Sequence, residues 1–286
     1  MSDSKKIQSI KGVIVKAHQE TPDTWTLDIF INERDRNYQA GQFISISPHQ
    51  FPELSDLIKY FEHLKGKKEP IRAYSIASAP HEKYLSITIK PESYHPAEEA
   101  FPPLLSPMLA SDIFLGREIE FSGYSGAYVM PDQLDHIDHI VHLVAGSGIV
   151  PSFSIIKNEL DKAKSLKHSL VFVNKKLEDI IFHNELNKLA CRYPELFSVY
   201  YWLSQEHKDL GPAYRSGRPS INHIAQLIKN PSSSLVFACG PAVTKWQKKQ
   251  ALANNEIIKP RFMEWVQEVI EQIGIEKKNF KREIYG

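Results

Sequence analysis

A chain of 286 residues is long enough for two cores of ordinary size, and 42% hydrophobic and 24% charged residues with a formal net charge of +1 is a folded, globular profile. That balance excludes a disordered chain and one built to coat nucleic acid, and no run of about 18 apolar residues marks a transmembrane segment. The first residues, MSDSKKIQSIKGVIVKA, hold no apolar stretch of signal-peptide length, so the expected location is the cytoplasm.

From the N-terminus onward, GVIVKAH, TWTLDIFI, QFISISP, IRAYSIAS, YLSITIKP and REIEFSG read as short strands. They are rich in β-branched and aromatic residues and separated by turn residues, the pattern of an antiparallel barrel or sandwich. Residues 49–70 break it: Leu54, Leu57, Ile58 and Phe61 recur at helical spacing and a lysine-rich turn follows, which predicts a helical insertion between two strands.

After about residue 135 the rhythm becomes strand and helix in alternation. HIVHLVAGSGIVP runs from a strand into a glycine turn, and PSFSIIKNELDKAK is a helix. SLVFVNKK, FSVYYWLS and SLVFACGP read as strands, each followed by a helical stretch: EDIIFHNELNKLACRY, SINHIAQLIKN and PAVTKWQKKQALANN. This predicts a parallel sheet covered by helices, an α/β domain, with the boundary near YVMPDQLDH and domains of 1–132 and 133–286.

Three motifs carry chemistry. VAGSGIVP places Gly146, Ser147 and Gly148 at the carboxyl end of a strand and ahead of a helix, where backbone N–H groups can face a phosphate. FACGP ends another strand with Cys239, Gly240 and Pro241, and in a parallel sheet both turns fall on the same carboxyl edge. RAYS offers a guanidinium at Arg72, a ring at Tyr74 and a hydroxyl at Ser75, with residues 72 and 74 on one face of a strand and 75 on the other. His136, His139 and His142 are spaced by three, but in a strand His139 points away from the other two, so no metal site is expected.

In order and spacing, GQF, RAYS, ITIKPE, LLSPMLAS, GREIEFSGYSGAY, VAGSGIVP, FACGP and the terminal REIYG resemble the ferredoxin-NADP reductase family of flavoproteins over nearly the whole chain. The resemblance implies an antiparallel β-barrel that binds FAD, followed by an α/β domain that binds NADPH or NADH. By that likeness Arg72 holds the flavin pyrophosphate with Ala73 beside it, Tyr74 lies against the isoalloxazine, and Ser75 bonds near flavin N5, while the backbone of Thr88, Ile89 and Lys90 passes along the cofactor. Ser106 matches the serine of the family's G-x-x-S phosphate segment, whose glycine is replaced here by Pro103, a residue with no backbone donor. Gly146, Ser147 and Gly148 would take the pyridine nucleotide pyrophosphate. Cys239, Gly240 and Pro241 would approach the nicotinamide, with Glu283 near the hydride path and Tyr285 over the flavin.

The same resemblance implies an oxidoreductase that takes hydride from NAD(P)H and passes single electrons on, a conversion a flavin supplies. The chain has only two cysteines, Cys191 and Cys239, and a plant-type [2Fe-2S] cluster needs about four, so the expected acceptor is a separate ferredoxin or similar one-electron carrier, serving an oxygenase or desaturase. A small-molecule reductase acting on flavins, ferric chelates or quinones, and a non-catalytic flavin-binding redox module, share these motifs. Ser204, after the third strand, matches the serine with which NADPH-specific relatives grip the 2′-phosphate, but their neighbouring arginine is absent. Lys175, Lys176, Arg215 and Arg218 are the candidate substitutes, which tilts the expected donor toward NADPH.

Overall fold

The computed structural model describes residues 9–91, 94, 101–134, 136–162, 165–206 and 208–285. The chain divides into two compact units, Met1–Ala127 and Tyr128–Gly286.

The first unit contains β1 (Ser9–Thr21), β2 (Thr24–Phe30), β3 (Phe43–Ile46), α1 (Ser55–Lys65), β4 (Arg72–Ser75), β5 (Leu85–Ile89), α2 (Leu105–Leu109) and β6 (Glu118–Ser125). Its strands are antiparallel and ordered β4-β3-β6-β1-β2-β5. An antiparallel bridge between Ile76 and Ile87 joins the two outer strands, so the sheet curls on itself as a barrel. Alternate side chains fill the interior, with Leu27, Ile29, Ile44, Ile46, Ile87 and Phe121 almost fully buried. The helix expected within 49–70 is α1. Leu54 and Ile58 are buried and Phe61 partly so, but Leu57 is turned to solvent, because it lines up with Tyr60 and Leu64 on the outer face.

The second unit contains β7 (His139–Ala145), α3 (Ile149–Asp161), β8 (Lys167–Asn174), α4 (His183–Arg192), β9 (Phe197–Leu203), β10 (Tyr214–Ser216), α5 (Ile221–Leu227), β11 (Ser234–Pro241), α6 (Lys245–Asn254), α7 (Phe262–Ile273) and β12 (Phe280–Tyr285). All strands are parallel, in the order β10-β9-β8-β7-β11-β12. From β7 the chain winds outward through β8, β9 and β10, then crosses back to β11 and β12. The crevice at the carboxyl ends of β7 and β11 is therefore a topological switch point.

One face of this sheet packs Val141, Leu143, Val171, Val236 and Ala238 under α5 and α7. On the other face His142 is fully buried, stacked between His168 and Phe237 at 5.5 Å from each, with its Nε2 3.2 Å from His168 Nδ1. His139 faces the opposite way and bonds Ser169 at 2.9 Å, as strand alternation predicts, while His136 precedes the strand. Burial pushes both His142 and His168 well below the usual imidazole range, the latter to about 3, so both are neutral. The sequence reading assigns no element to 256–279, yet α7 there buries Met263, Val266, Val269 and Ile270 and covers the sheet next to β11. No described helix is long and apolar enough to cross a membrane.

Candidate functional site

In the barrel, β4 pairs with β3 in a register that sets Arg72 opposite Ile46, Tyr74 opposite Ile44 and Ser75 opposite Phe43. Arg72 is half-buried and Ala73 exposed, whereas Tyr74 and Ser75 are both buried. Simple alternation predicts opposite environments for 74 and 75. It fails because the strand ends at Ser75 and turns into the barrel seam, where Ile76 donates to the Gln42 carbonyl at 2.9 Å. Among the described residues Arg72 forms no ion pair with a carboxylate. A half-buried guanidinium of this kind fits an anionic group that no described carboxylate supplies.

The side chains of the next segment are engaged elsewhere. The Thr88 hydroxyl lies 2.8 Å from that of Thr26, Ile89 is in the core, and Lys90 Nζ sits 3.0 Å from Asp23. Partial burial works to raise the Asp23 carboxyl, but hydrogen bonds from Lys90, Thr21 and Thr24 hold it below its usual range. Past the Ile76–Ile87 bridge the outer edge of β5 has no strand partner among the described residues, so Thr88 and Ile89 offer main-chain groups there. Ser106 is half-buried in the short α2, and Pro103 lies just ahead of that helix.

The two glycine-bearing turns of the parallel sheet meet backbone to backbone. Residues 146–148 form a single tight turn between β7 and α3. A Cβ on Gly148 would lie 2.2 Å from the Cys239 carbonyl oxygen and 2.5 Å from its carbon, so only glycine lets the chains approach this closely. Gly146 differs: it has φ +54° and nothing within 4 Å of where a Cβ would be, leaving open space above the turn for a phosphate. Ser147 stands half-exposed between them.

Beside this contact β11 and β12 pair Cys239 with Glu283, Gly240 with Ile284 and Pro241 with Tyr285. The terminal REIYG residues thus enter the site as the outer strand of the sheet. Cys239 is fully buried, and burial, reinforced by Glu283, pushes its thiol well above the usual range despite a hydrogen bond with Tyr285. It stays protonated at neutral pH and is a shape-defining group rather than a nucleophile.

Tyr128 is an addition that the motifs do not reveal. Its ring is buried edge-on against Phe237 with centroids 4.9 Å apart, and its hydroxyl is 2.8 Å from Ser152 on α3. Burial drives the phenol far above its usual range, and Cys239 and Glu283 act on it in the same direction. In the sequence it is one more aromatic at a domain boundary, and only the fold packs it between Phe237 and α3.

At the end of β9 the Ser204 hydroxyl donates to the Asn174 carbonyl at 3.2 Å, so it is held against the main chain. A pocket of about 290 Å³ opens next to it, lined among others by Leu203, Glu206, Lys208, Asp209, Tyr214 and Arg215. Arg215 is steadied over the rings of Tyr200 and Trp202 at 5.3 and 5.5 Å. Of the candidate cations, Arg215 lines the pocket, Lys176 is 3.6 Å from Glu178, and Lys175 and Arg218 are not among the lining residues. Lys208 is a further cation there, four positions beyond Ser204.

Residues 143–248 match the family model described as an oxidoreductase NAD-binding domain. The ferredoxin reductase component of 3-ketosteroid-9-alpha-monooxygenase from Mycobacterium tuberculosis is 31% identical over 183 residues, covering 64% of this chain and 45% of that protein. Ferredoxin--NADP reductase of Synechocystis sp. is 29% identical over 224 residues, 72% of this chain and 50% of that protein. The chain thus spans about half the length of these curated relatives. Among solved structures, the flavohem-like FAD/NAD binding domain of nitric oxide dioxygenase from Vibrio cholerae superposes with a TM-score of 0.70 at 18% identity, over 97% of this chain and 98% of that one. At that identity the match speaks for the fold.

Proposed function

We propose that the chain is a member of the ferredoxin-NADP reductase-like family, an FAD-dependent reductase that takes hydride from NADPH or NADH and delivers single electrons to a separate ferredoxin-type carrier. The observation that carries the reading is the backbone contact between Gly148 and Cys239 at the switch point of the parallel sheet, flanked by Glu283 and Tyr285.

Bound FAD supplies the exchange between a two-electron hydride and single electrons. The chain's own residues do the binding and positioning. Arg72 would neutralise the cofactor diphosphate; Tyr74 and Ser75 are buried in the barrel, so contacts with the flavin ring and N5 require the cofactor to displace what covers them. The open main chain at Thr88 and Ile89 accepts and donates along the cofactor, and Ser106 supports its phosphate end. On the other unit the N–H groups around Gly146 and Ser147 face the nucleotide diphosphate, and Cys239, Gly240 and Pro241 set the depth to which the nicotinamide enters. Glu283 and Tyr285 border that entry and exclude water from it.

NADPH is the expected donor through Lys208 and Arg215, which line the pocket past Ser204 beside Glu206 and Asp209 and would pair a 2′-phosphate, whereas the Ser204 hydroxyl donates to Asn174 instead. The acceptor assignment draws on the relatives named as ferredoxin reductases. The test is anaerobic titration of the purified, flavin-loaded protein with each nucleotide. Bleaching of the flavin, faster with NADPH, is expected, and a flavin that neither nucleotide reduces would refute the reading.

A further inference from the structure

Asn174, the last residue of β8, is 6% exposed, and neither its amide oxygen nor its amide nitrogen has a hydrogen-bond partner among the described residues. A primary amide carries an acceptor and two donors, so this side chain is buried with both ends unsatisfied. Such groups are rare in folded interiors, because leaving water without a new partner is costly. For folding alone, an apolar residue of similar size would suit the position better. The main chain beside it is well held: the Asn174 carbonyl accepts from the Ser204 N–H at 3.0 Å and from the Ser204 hydroxyl at 3.2 Å.

Strand register sets Asn174 between the two halves of the nucleotide site. On one side β8 pairs with β7 as far as Val173 with Ala145, so Asn174 comes level with Gly146, where the turn leaves open space. On the other side Asn174 pairs with Leu203, which lines the pocket holding Lys208 and Arg215. Neighbouring strands lie about 4.8 Å apart, so each of these features is one strand away. Along the carboxyl edge the order is therefore diphosphate turn, Asn174, cation pocket. In a pyridine nucleotide the adenosine ribose is the unit joined both to the diphosphate and to any 2′-phosphate, and it falls over the middle strand.

The unsatisfied atoms point to the same group. A phosphate only accepts, which would leave Oδ1 without a donor, whereas a ribose edge presents a 3′-hydroxyl that donates and a neighbouring oxygen on C2′ that accepts. We propose that Asn174 recognises the adenosine ribose, its Oδ1 accepting from the 3′-hydroxyl and its Nδ2 donating to the oxygen on C2′. This rests on the reductase reading and adds to it a contact that both donors share, since NADPH and NADH each carry these two oxygens. Lys208 and Arg215 then add what only the 2′-phosphate can use. In the free protein the amide atoms are closed off from solvent, so binding includes a turn of this side chain, or of what covers it, toward the nucleotide, with no side-chain hydrogen bond of Asn174 to break on the way.

The test compares flavin-loaded wild type with Asn174→Leu, an apolar side chain of similar size, and Asn174→Asp, which keeps the shape and loses the donor. Calorimetry gives Kd for each of NADP+ and NAD+ that wild type binds, and urea titration without nucleotide gives the stability. Expected for Asn174→Leu is a loss of affinity of about tenfold or more for each nucleotide, with a urea midpoint equal to that of wild type or higher. Asn174→Asp should also bind more weakly, because a carboxylate cannot donate to the C2′ oxygen and repels the diphosphate. Unchanged affinity in Asn174→Leu would overturn the ribose contact and leave the reductase reading standing, as would a loss for one bound nucleotide and not the other. A urea midpoint lowered in both variants would mark Asn174 as a structural group and overturn the proposal as well. A wild type that binds neither nucleotide would overturn it together with the reductase reading.

Discussion

Acidification should unfold the nucleotide-binding unit through its buried imidazole pair. His142 and His168 share one hydrogen bond, and His142 Nδ1 and His168 Nε2 are buried without a partner, so neither ring can accommodate a second proton's charge. The groups nearest in electrostatic effect are each other and His139, all of which oppose protonation. With the folded pKa of His168 depressed from 6.5 to about 3, its contribution is fully present above pH 6.5 and is lost as pH falls toward 3. The unfolded chain binds the proton first, so stability must fall with pH in that window. Between pH 7 and pH 5 the linkage integral for His168 alone comes to about 2 kcal/mol, and His142, depressed by the same cause, adds in the same direction. Urea titrations followed by tryptophan fluorescence report chiefly this unit, since Trp202, Trp246 and Trp265 lie in it and Trp25 in the other. His142→Leu/His168→Leu, which removes both partners together, should abolish most of the slope. A wild type whose stability is level from pH 7 to pH 5, or a double variant as acid-sensitive as wild type, would refute the reasoning.

Gly148→Ala should destabilise the second unit by about 3 kcal/mol, because the obstructing atoms are backbone, while Gly146→Ala should cost about 1 kcal/mol from its left-handed conformation alone; equal urea midpoints for the two would contradict the close approach. Tyr128→Phe leaves the Ser152 hydroxyl buried without its partner and should cost about 1–2 kcal/mol, part of it recovered in Tyr128→Phe/Ser152→Ala; a strictly additive double variant would argue against the bond. Arg72→Ala should lower flavin retention on gel filtration without unfolding the barrel, and undiminished flavin content would remove its role. Lys208→Ala/Arg215→Ala should raise KM for NADPH by about tenfold and leave that for NADH unchanged; a parallel rise for both would dissociate the pocket from the 2′-phosphate.

Much of the architecture is written in local patterns. Period-two runs such as TWTLDIFI, and apolar strands ending in GSG or CGP before helical stretches, encode a barrel and a parallel sheet, because burial on one face or both dictates the side-chain period. The helix within 49–70 was legible for the same reason. The stretch 256–279 carries the same kind of signal, with Met263, Val266, Val269 and Ile270 at helical spacing and Gly274 at the end, yet the sequence reading passes over it.

Composition, motif order and the family likeness thus lay within the sequence itself, including the candidates at Arg72, the two turns and REIYG. Tertiary structure alone decided what touches what: that Gly148 rests on the Cys239 carbonyl, that Glu283 and Tyr285 reach Cys239 through a parallel strand pairing, and that Tyr128 packs on Phe237 and bonds Ser152. It also turned Ser204 onto Asn174 and stacked His142 between His168 and Phe237. These contacts join residues up to more than a hundred positions apart. Periodicity and propensity report only a residue's nearest neighbours along the chain, whereas such distances are closed by sheet order and crossover.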